Sequence, residues 1–362
     1  MRVAFYAPMK SPMHPVPSGD RLMARLLMAA MGLAGYAVEI ASELRSYTAT
    51  PDDPADAAIR EAAAGEIERL SALWSGEGPP DLWFAYHPYY KTPDLIGPAL
   101  CHRFGIAYAT AEASWSRRRN AGQWARAQAQ VLEAVRGAAV NFCFTRRDAE
   151  GLRQAAPDAV YAPLSPFLDA RPYAACEPRP RPGHLVTVAM MRPGDKMASY
   201  VMLAEALTRI GDEAWTLSII GDGRSRQEVE ALFARFGEDR IRLHGELTQE
   251  GVAALLSESA IHVWPGCGEA YGLAYLEAQA AGLPVVAQAT AGVPEVVQDG
   301  VTGLLTADGD IDAYAGAVRR LLRDEALRRS LGVHARRFVL EERSIERAAQ
   351  TIDAYLRKVV AR

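Results

Sequence analysis

No two of the four cysteines, Cys101, Cys143, Cys176 and Cys267, stand at CxxC spacing. Such scatter offers neither a zinc ligand set nor a disulfide framework, so a reduced, cytosolic chain is expected. An excess of one charge is missing too. The 40 Lys and Arg nearly balance the 44 Asp and Glu, which argues against a general nucleic-acid binder. The longest uncharged run near the N-terminus, residues 26–38, has thirteen residues and two glycines, too few to span a bilayer. The opening MRVAFYAP lacks the apolar core and cleavage site of a secretory leader.

What is present is a soluble composition in a chain of 362 residues, long for one hydrophobic core, so two domains are expected. Short apolar runs at residues 3–7, 37–41, 82–86, 106–110 and 139–144 alternate with helical patterns, beginning with Leu22, Leu26, Leu27 and Ala30 on one face. Strands alternating with helices predict a parallel sheet covered on both faces. Residues 169–183, DARPYAACEPRPRPG, hold four prolines and no apolar period, and read as an extended interdomain linker. The rhythm then restarts with strands at 185–190, 215–220, 241–244, 261–264, 284–287 and 303–306 and helices at 197–210 and 225–236. The expected domains are 1–170 and 171–344. A last helix, 345–362, buries one face, and its pattern fits packing on either domain.

The segment WPGCGEAYGLAYLEAQAAGLPVVA, residues 264–287, carries the most chemistry. A strand ends at Trp264, a loop of Pro, Gly and Cys follows, and a helix begins close to Gly272. Gly282 suits its left-handed cap and Pro284 follows. Such a unit aims the free N–H groups of the helix start at the C-terminal edge of the sheet, which favours a phosphate. Glu269 lies ahead of that start and Glu277 inside the helix, where carboxylates could accept hydrogen bonds from hydroxyls on either side of a diphosphate. Alone, Glu269 would read as a cap and Glu277 as a solvated helix residue. They are accompanied by VAMMRPGDK, residues 188–196, whose Arg192 and Lys196 follow a strand of the same domain and would neutralise a diphosphate. A Gly-Asp-Gly turn at 221–223 would let backbone approach a ligand.

With these residues the C-terminal half resembles the retaining glycosyltransferases of family 4. The E-x7-E motif matches Glu269 and Glu277, and the downstream glycine-proline-glutamate segment matches AGVPEVVQDGVTGLL, residues 291–305. The match is close over residues 185–345. The resemblance implies an α/β architecture of GT-B type, two Rossmann-like doubly wound domains facing across a cleft. It also implies site roles: Glu277 on the ribose, Glu269 on the donor sugar, and Arg192 and Lys196 on the diphosphate. Backbone at Tyr271, Gly272, Leu273, Gly221 and Gly223 would line the donor, the base would lie near Gly245, and Gly19 would approach the diphosphate from the first domain. Three departures stand out. Met197 follows the lysine where the family has glycine, Ser165-Pro166-Phe167 replaces an asparagine-glycine pair, and Glu112 stands where many members have a histidine. Glu112 and His87, one strand earlier, are the candidates to assist the acceptor hydroxyl, or else only shape the cleft.

The implied activity is hexose transfer from a nucleotide diphosphate sugar, UDP-hexose ahead of GDP-mannose, to a sugar or lipid-linked acceptor in surface polysaccharide or glycolipid synthesis. No cofactor or metal is expected. Asp308-Gly309-Asp310 has the D-x-D form of a metal site but reads as an acidic surface turn. The run SWSRRRNAGQW, residues 114–124, mixes arginines with Trp115 and Trp124; it reads first as a solvated face and second as a peripheral contact with the inner face of a membrane. An epimerase or phosphorylase on the same fold, and a nucleotide-sugar-binding protein without turnover, are the alternatives.

Overall fold

A computed structural model describes residues 1–360 of the chain. It forms two units: Met1–Ser165 joined by the C-terminal segment from Ile345, and Pro166–Ser344.

In the first unit β1 (Arg2–Tyr6), α1 (Gly19–Leu33), β2 (Ala37–Ser42), α2 (Asp56–Glu77), β3 (Leu82–Tyr86) and α3 (Gly97–Phe104) follow one another. Then come β4 (Ala107–Ala111), α4 (Gly122–Gly137), β5 (Val140–Cys143), α5 (Arg146–Ala155) and β6 (Tyr161–Pro163). The sheet is parallel, in the order β2-β1-β3-β4-β5-β6. Strand order therefore reverses between β1 and β3, and in open α/β sheets the loops at such a reversal form the ligand crevice. Ser18 caps α1 by accepting from Arg21 N at 3.2 Å, and Met23, Leu26, Leu27, Ala30 and Met31 bury its inner face. The carboxylate of Asp94 anchors the core beneath β3: it accepts from Trp83 Nε1 at 2.8 Å, from Tyr108 Oη at 3.1 Å and from two backbone amides.

The second unit runs through α6 (Arg171–Ala174), β7 (His184–Val188), α7 (Asp195–Arg209), β8 (Thr216–Ile220), α8 (Arg226–Phe233), β9 (Ile241–Gly245) and α9 (Gln249–Ser257). It continues with β10 (Ile261–Val263), α10 (Leu273–Ala280), β11 (Val285–Gln288), α11 (Val293–Val296), β12 (Gly303–Thr306), α12 (Ile311–Arg323) and α13 (Glu325–Glu342). Its order, β12-β11-β10-β7-β8-β9, reverses between β7 and β10. The last helix, α14 (Ile345–Val360), packs on α1 and β5 of the first unit. Residues 361 and 362 lie outside the described residues.

Residues 169–183 are not the extended linker their composition predicts. Phe167, Leu168 and Tyr173 are buried in the second unit, and Arg179 N and Arg181 N donate to the carbonyls of Ser257 and Glu258 at 2.7 and 2.9 Å. Within the stretch the buried Tyr173 ring and these backbone bonds tie it to the second unit against the proline bias toward a solvated strand. The division accordingly falls five residues before the expected 170.

Candidate active site

In the second unit, the reversal between β7 and β10 brings together the loops that carry the sequence-selected residues. After β10 the chain turns through three left-handed glycines, Gly266, Gly268 and Gly272, at φ 74°, 64° and 78°. A Cβ at Gly272 would lie 2.6 Å from the Tyr275 ring, and one at Gly268 2.5 Å from the Asp195 carboxylate, so the turn closes only without side chains there. Gly272 opens α10, leaving the amides at the helix start unbonded by any side-chain cap. Tyr271 and Leu273 bury their side chains, so what they present is backbone.

Glu269 Oε2 accepts from Lys196 Nζ, an ion pair whose side chains are 18% and 15% exposed. The lysine also lies over the Trp264 ring, 5.5 Å from its centroid. Arg192, four residues earlier, is exposed, and its guanidinium has no ion-pair or hydrogen-bond partner among the described residues. Glu277 stands at the fifth position of α10. Burial pushes its carboxyl up, while a hydrogen bond from the Tyr173 hydroxyl pulls it down. The sequence reading missed Tyr173, because it sits in the stretch that proline content marks as linker.

Gly221 and Gly223 have φ 138° and 150° and pack closely against the loop before α7. A Cβ at either would overlap the carbonyl of Ala189 or Met191, in the loop that carries Arg192. Met191 N donates to Asp222 O at 2.9 Å and Ser225 N to Met191 O at 3.0 Å, so the Gly-Asp-Gly turn holds that loop in place. Gly245, at the end of β9, accepts from Gly221 N at 2.8 Å. The downstream segment braces the glycine loop: Gly292 N donates to Ala270 O at 2.7 Å and Thr290 Oγ1 to Gly266 O at 3.2 Å. Asp310 caps α12 by accepting from Ala313 N at 2.8 Å, a structural use of the D-x-D sequence.

In the first unit the reversal lies between β1 and β3, and its two loops supply Asp20 and His87. His87 Nδ1 lies 3.2 Å from Asp20 Oδ1. Tyr86 pairs with Ala111 in the sheet, so His87 and Glu112 leave β3 and β4 side by side, both left-handed at φ 60° and 56°. For side-chain-bearing residues this conformation costs of order 1 kcal/mol each, and it persists because His87 N bonds Ala111 O at 2.8 Å and Glu112 N bonds Phe142 O at 2.9 Å. Burial lowers the His87 pKa, but Glu112 and Asp20 outweigh it and push the imidazole up to about 9. Burial raises Glu112 to about 7, against the pull of the imidazole. Asp20 is held low by His87 despite its own burial. Gly19 opens α1 beside this group, and a Cβ there would meet no atom within 4 Å.

Residues 182–324 match the family model described as Glycosyl transferases group 1. N-acetyl-alpha-D-glucosaminyl L-malate synthase of Bacillus anthracis is 37% identical over 127 residues, 35% of this chain and 33% of that protein. D-inositol 3-phosphate glycosyltransferase of Streptomyces griseus is 40% identical over 102 residues, 28% of this chain and 22% of its own. The chain thus aligns with a third or less of these relatives' length. Over 99% of both chains, sucrose-phosphate synthase of Thermosynechococcus elongatus superposes with a TM-score of 0.78 at 20% identity. HepE of Anabaena, solved with UDP-glucose, superposes over 99% of this chain and 100% of its own with a TM-score of 0.70 at 16% identity. The resemblance to glycosyltransferases holds over the second unit, and the GT-B fold over the whole chain. Among the described residues no helix is long and apolar enough to cross a membrane.

Proposed function

We propose that this protein is a retaining glycosyltransferase that moves a hexose from a UDP-sugar, or from GDP-mannose, to an acceptor hydroxyl in surface polysaccharide or glycolipid synthesis. The observation that carries the reading is the Lys196–Glu269 pair at the β7/β10 reversal, one helix turn and more from Glu277 on α10. A relative in fold solved with UDP-glucose supports the uridine donor.

Lys196 pairs with Glu269. On this reading the incoming diphosphate takes over Lys196, Arg192 and the amides at the start of α10, which frees Glu269 for the hydroxyls of the sugar. Glu277 binds the ribose. As the bond from the anomeric carbon to the diphosphate breaks, negative charge grows on the leaving oxygen and positive charge on the sugar ring, as in an oxocarbenium ion. The two cations and the helix dipole stabilise the first and Glu269 the second. The reading includes no metal ion. His87 and Glu112 serve the acceptor side, and a lipid-linked acceptor would bring the protein to the inner face of a membrane.

The test is release of UDP or GDP from a panel of nucleotide sugars, with and without acceptor. Release that no acceptor accelerates would leave only a nucleotide-sugar-binding protein. In Glu277→Ala the loss of a charged hydrogen bond is expected to raise the donor KM roughly ten-fold or more; an unchanged KM removes the ribose contact.

A further inference from the structure

The loops at the C-terminal edge of the first sheet build a second feature beside His87. The His87 ring stacks on Tyr89 at 5.0 Å between centroids, Tyr89 meets Tyr90 at 5.1 Å, and Tyr90 meets Trp124 edge-on at 4.9 Å. Lys91 closes the row. Its Nζ lies 5.2 Å from the Trp124 centroid and 5.9 Å from that of Tyr47, and Arg45 lies over the same Tyr47 at 4.4 Å. Tyr47, Tyr89, Tyr90 and Lys91 are half-buried, so each offers part of a ring or its charged end to solvent.

The row is built rather than incidental. Thr48 N donates to Lys91 O at 2.9 Å while its hydroxyl accepts from Trp124 Nε1 at 3.2 Å, and Gln123 N bonds Pro51 O at 2.8 Å. The loop after β2, the loop after β3 and the start of α4 are thereby tied together. Of the neighbouring carboxylates, Asp20 pairs with His87, Glu43 with Ser11 at 3.0 Å and Asp53 with the amides of Ala49 and Ala55, while Asp52 lies beside Gly122. Lys91 has no carboxylate partner among the described residues, and Arg45 Nε donates to Met9 O at 3.1 Å. Aromatic faces attract these cations but do not neutralise them. A half-buried ammonium and an exposed guanidinium, neither with a carboxylate partner among the described residues, are a complement for an anion.

We propose that this row is the acceptor subsite for a phosphate-bearing polyol or sugar, Lys91 and Arg45 taking the phosphate and the tyrosine rings the carbon skeleton, with a hydroxyl directed toward His87. The word acceptor rests on the glycosyltransferase reading, whereas anion recognition by these residues does not. The phosphate could belong to a soluble sugar phosphate or to a lipid headgroup, and the same two cations would serve either.

The experiment titrates the full chain calorimetrically with myo-inositol 1-phosphate and with myo-inositol. A second arm sediments the protein with phosphatidylglycerol and with phosphatidylcholine vesicles. The phosphate is expected to strengthen binding about ten-fold or more, and the preference should collapse in Lys91→Met with Arg45→Met, which keeps the aliphatic stems against the rings. Circular dichroism of the variants reports that they fold. Loss in the double variant of binding to phosphatidylglycerol vesicles alone supports the site with the lipid as its source. Equal affinity for both soluble probes without a vesicle preference, or any preference that survives in the double variant, overturns the inference. Nucleotide release from a sugar donor, assayed on the wild type, fails separately if the transferase reading is wrong.

Discussion

Glu277 and His87 each owe their state to a residue far away in sequence. Tyr173 donates to the Glu277 carboxylate from a helix more than a hundred positions earlier. Tyr173→Phe removes that hydroxyl and leaves the ring in place, so the fold should persist while the donor KM rises a few-fold and kcat changes little. A fall in kcat alone would assign the tyrosine elsewhere. Asp20 plays the corresponding part for His87. In Asp20→Asn the imidazole loses a charged partner, and its titration, followed by NMR, should move down from about 9. The stability this imidazolium contributes is fully present below the ordinary histidine value near 6.5 and is lost as pH rises through about 9. Neither partner was legible in the sequence, because a hydrogen bond between elements far apart in the chain leaves no spacing to read. Glu269, Glu277, Arg192 and Lys196 could be singled out as candidates, because each pair lies within one strand-loop-helix unit.

At the scale of elements, the sequence located every strand except β6, and the start of α10, but not which neighbours the glycines beside them meet. Gly221 and Gly223 read as clearance for a ligand, and their missing side chains also make room for the carbonyls of Ala189 and Met191. Local sequence says that a side chain is absent, not which neighbour needs its place. Among the elements that escaped the reading, α2 buries only Ala63, Leu70, Ser71 and Trp74 over 22 residues, and β6 has three residues. β10 carries a further consequence. His262 is fully buried at its centre, edge-on to Tyr275, with no hydrogen-bond partner on either ring nitrogen among the described residues. Burial drops its pKa to about 3. The unfolded chain binds a proton that the native strand refuses, so stability falls as pH drops from about 6.5 toward 3, by at most about 1.4 kcal/mol per pH unit. His262→Leu should flatten that part of a denaturation-versus-pH curve; an unaltered slope would show that other groups set it.

Across the whole molecule, the strand orders explain why the chemistry gathers where it does, since each unit places its polar residues at the one point where its sheet reverses. That order is not in the periodicity, which shows strands but not neighbours. The unit boundary was displaced for a similar reason, as Phe167 and Tyr173 choose their side by packing. The first unit is also discontinuous. Ile345, Ile352 and Leu356 of α14 are buried, and Tyr36 Oη donates to Asp353 at 2.5 Å. Three such aliphatic side chains contribute roughly 5–9 kcal/mol, comparable with the whole stability of a domain, about 5–15 kcal/mol. A chain ending at Ser344 should therefore keep the melting transition of the second unit and lose that of the first, which calorimetry would resolve; two intact transitions would refute it.

The return of α14 also has a consequence in time. A ribosome releases the chain from its N-terminus, and domains generally fold in that order. Here the helix that completes the first sheet's cover leaves the ribosome after all 179 residues of the second unit, 344 − 166 + 1. The nascent first unit must wait with the faces of α1 and β5 uncovered, so the half made first is the half finished last.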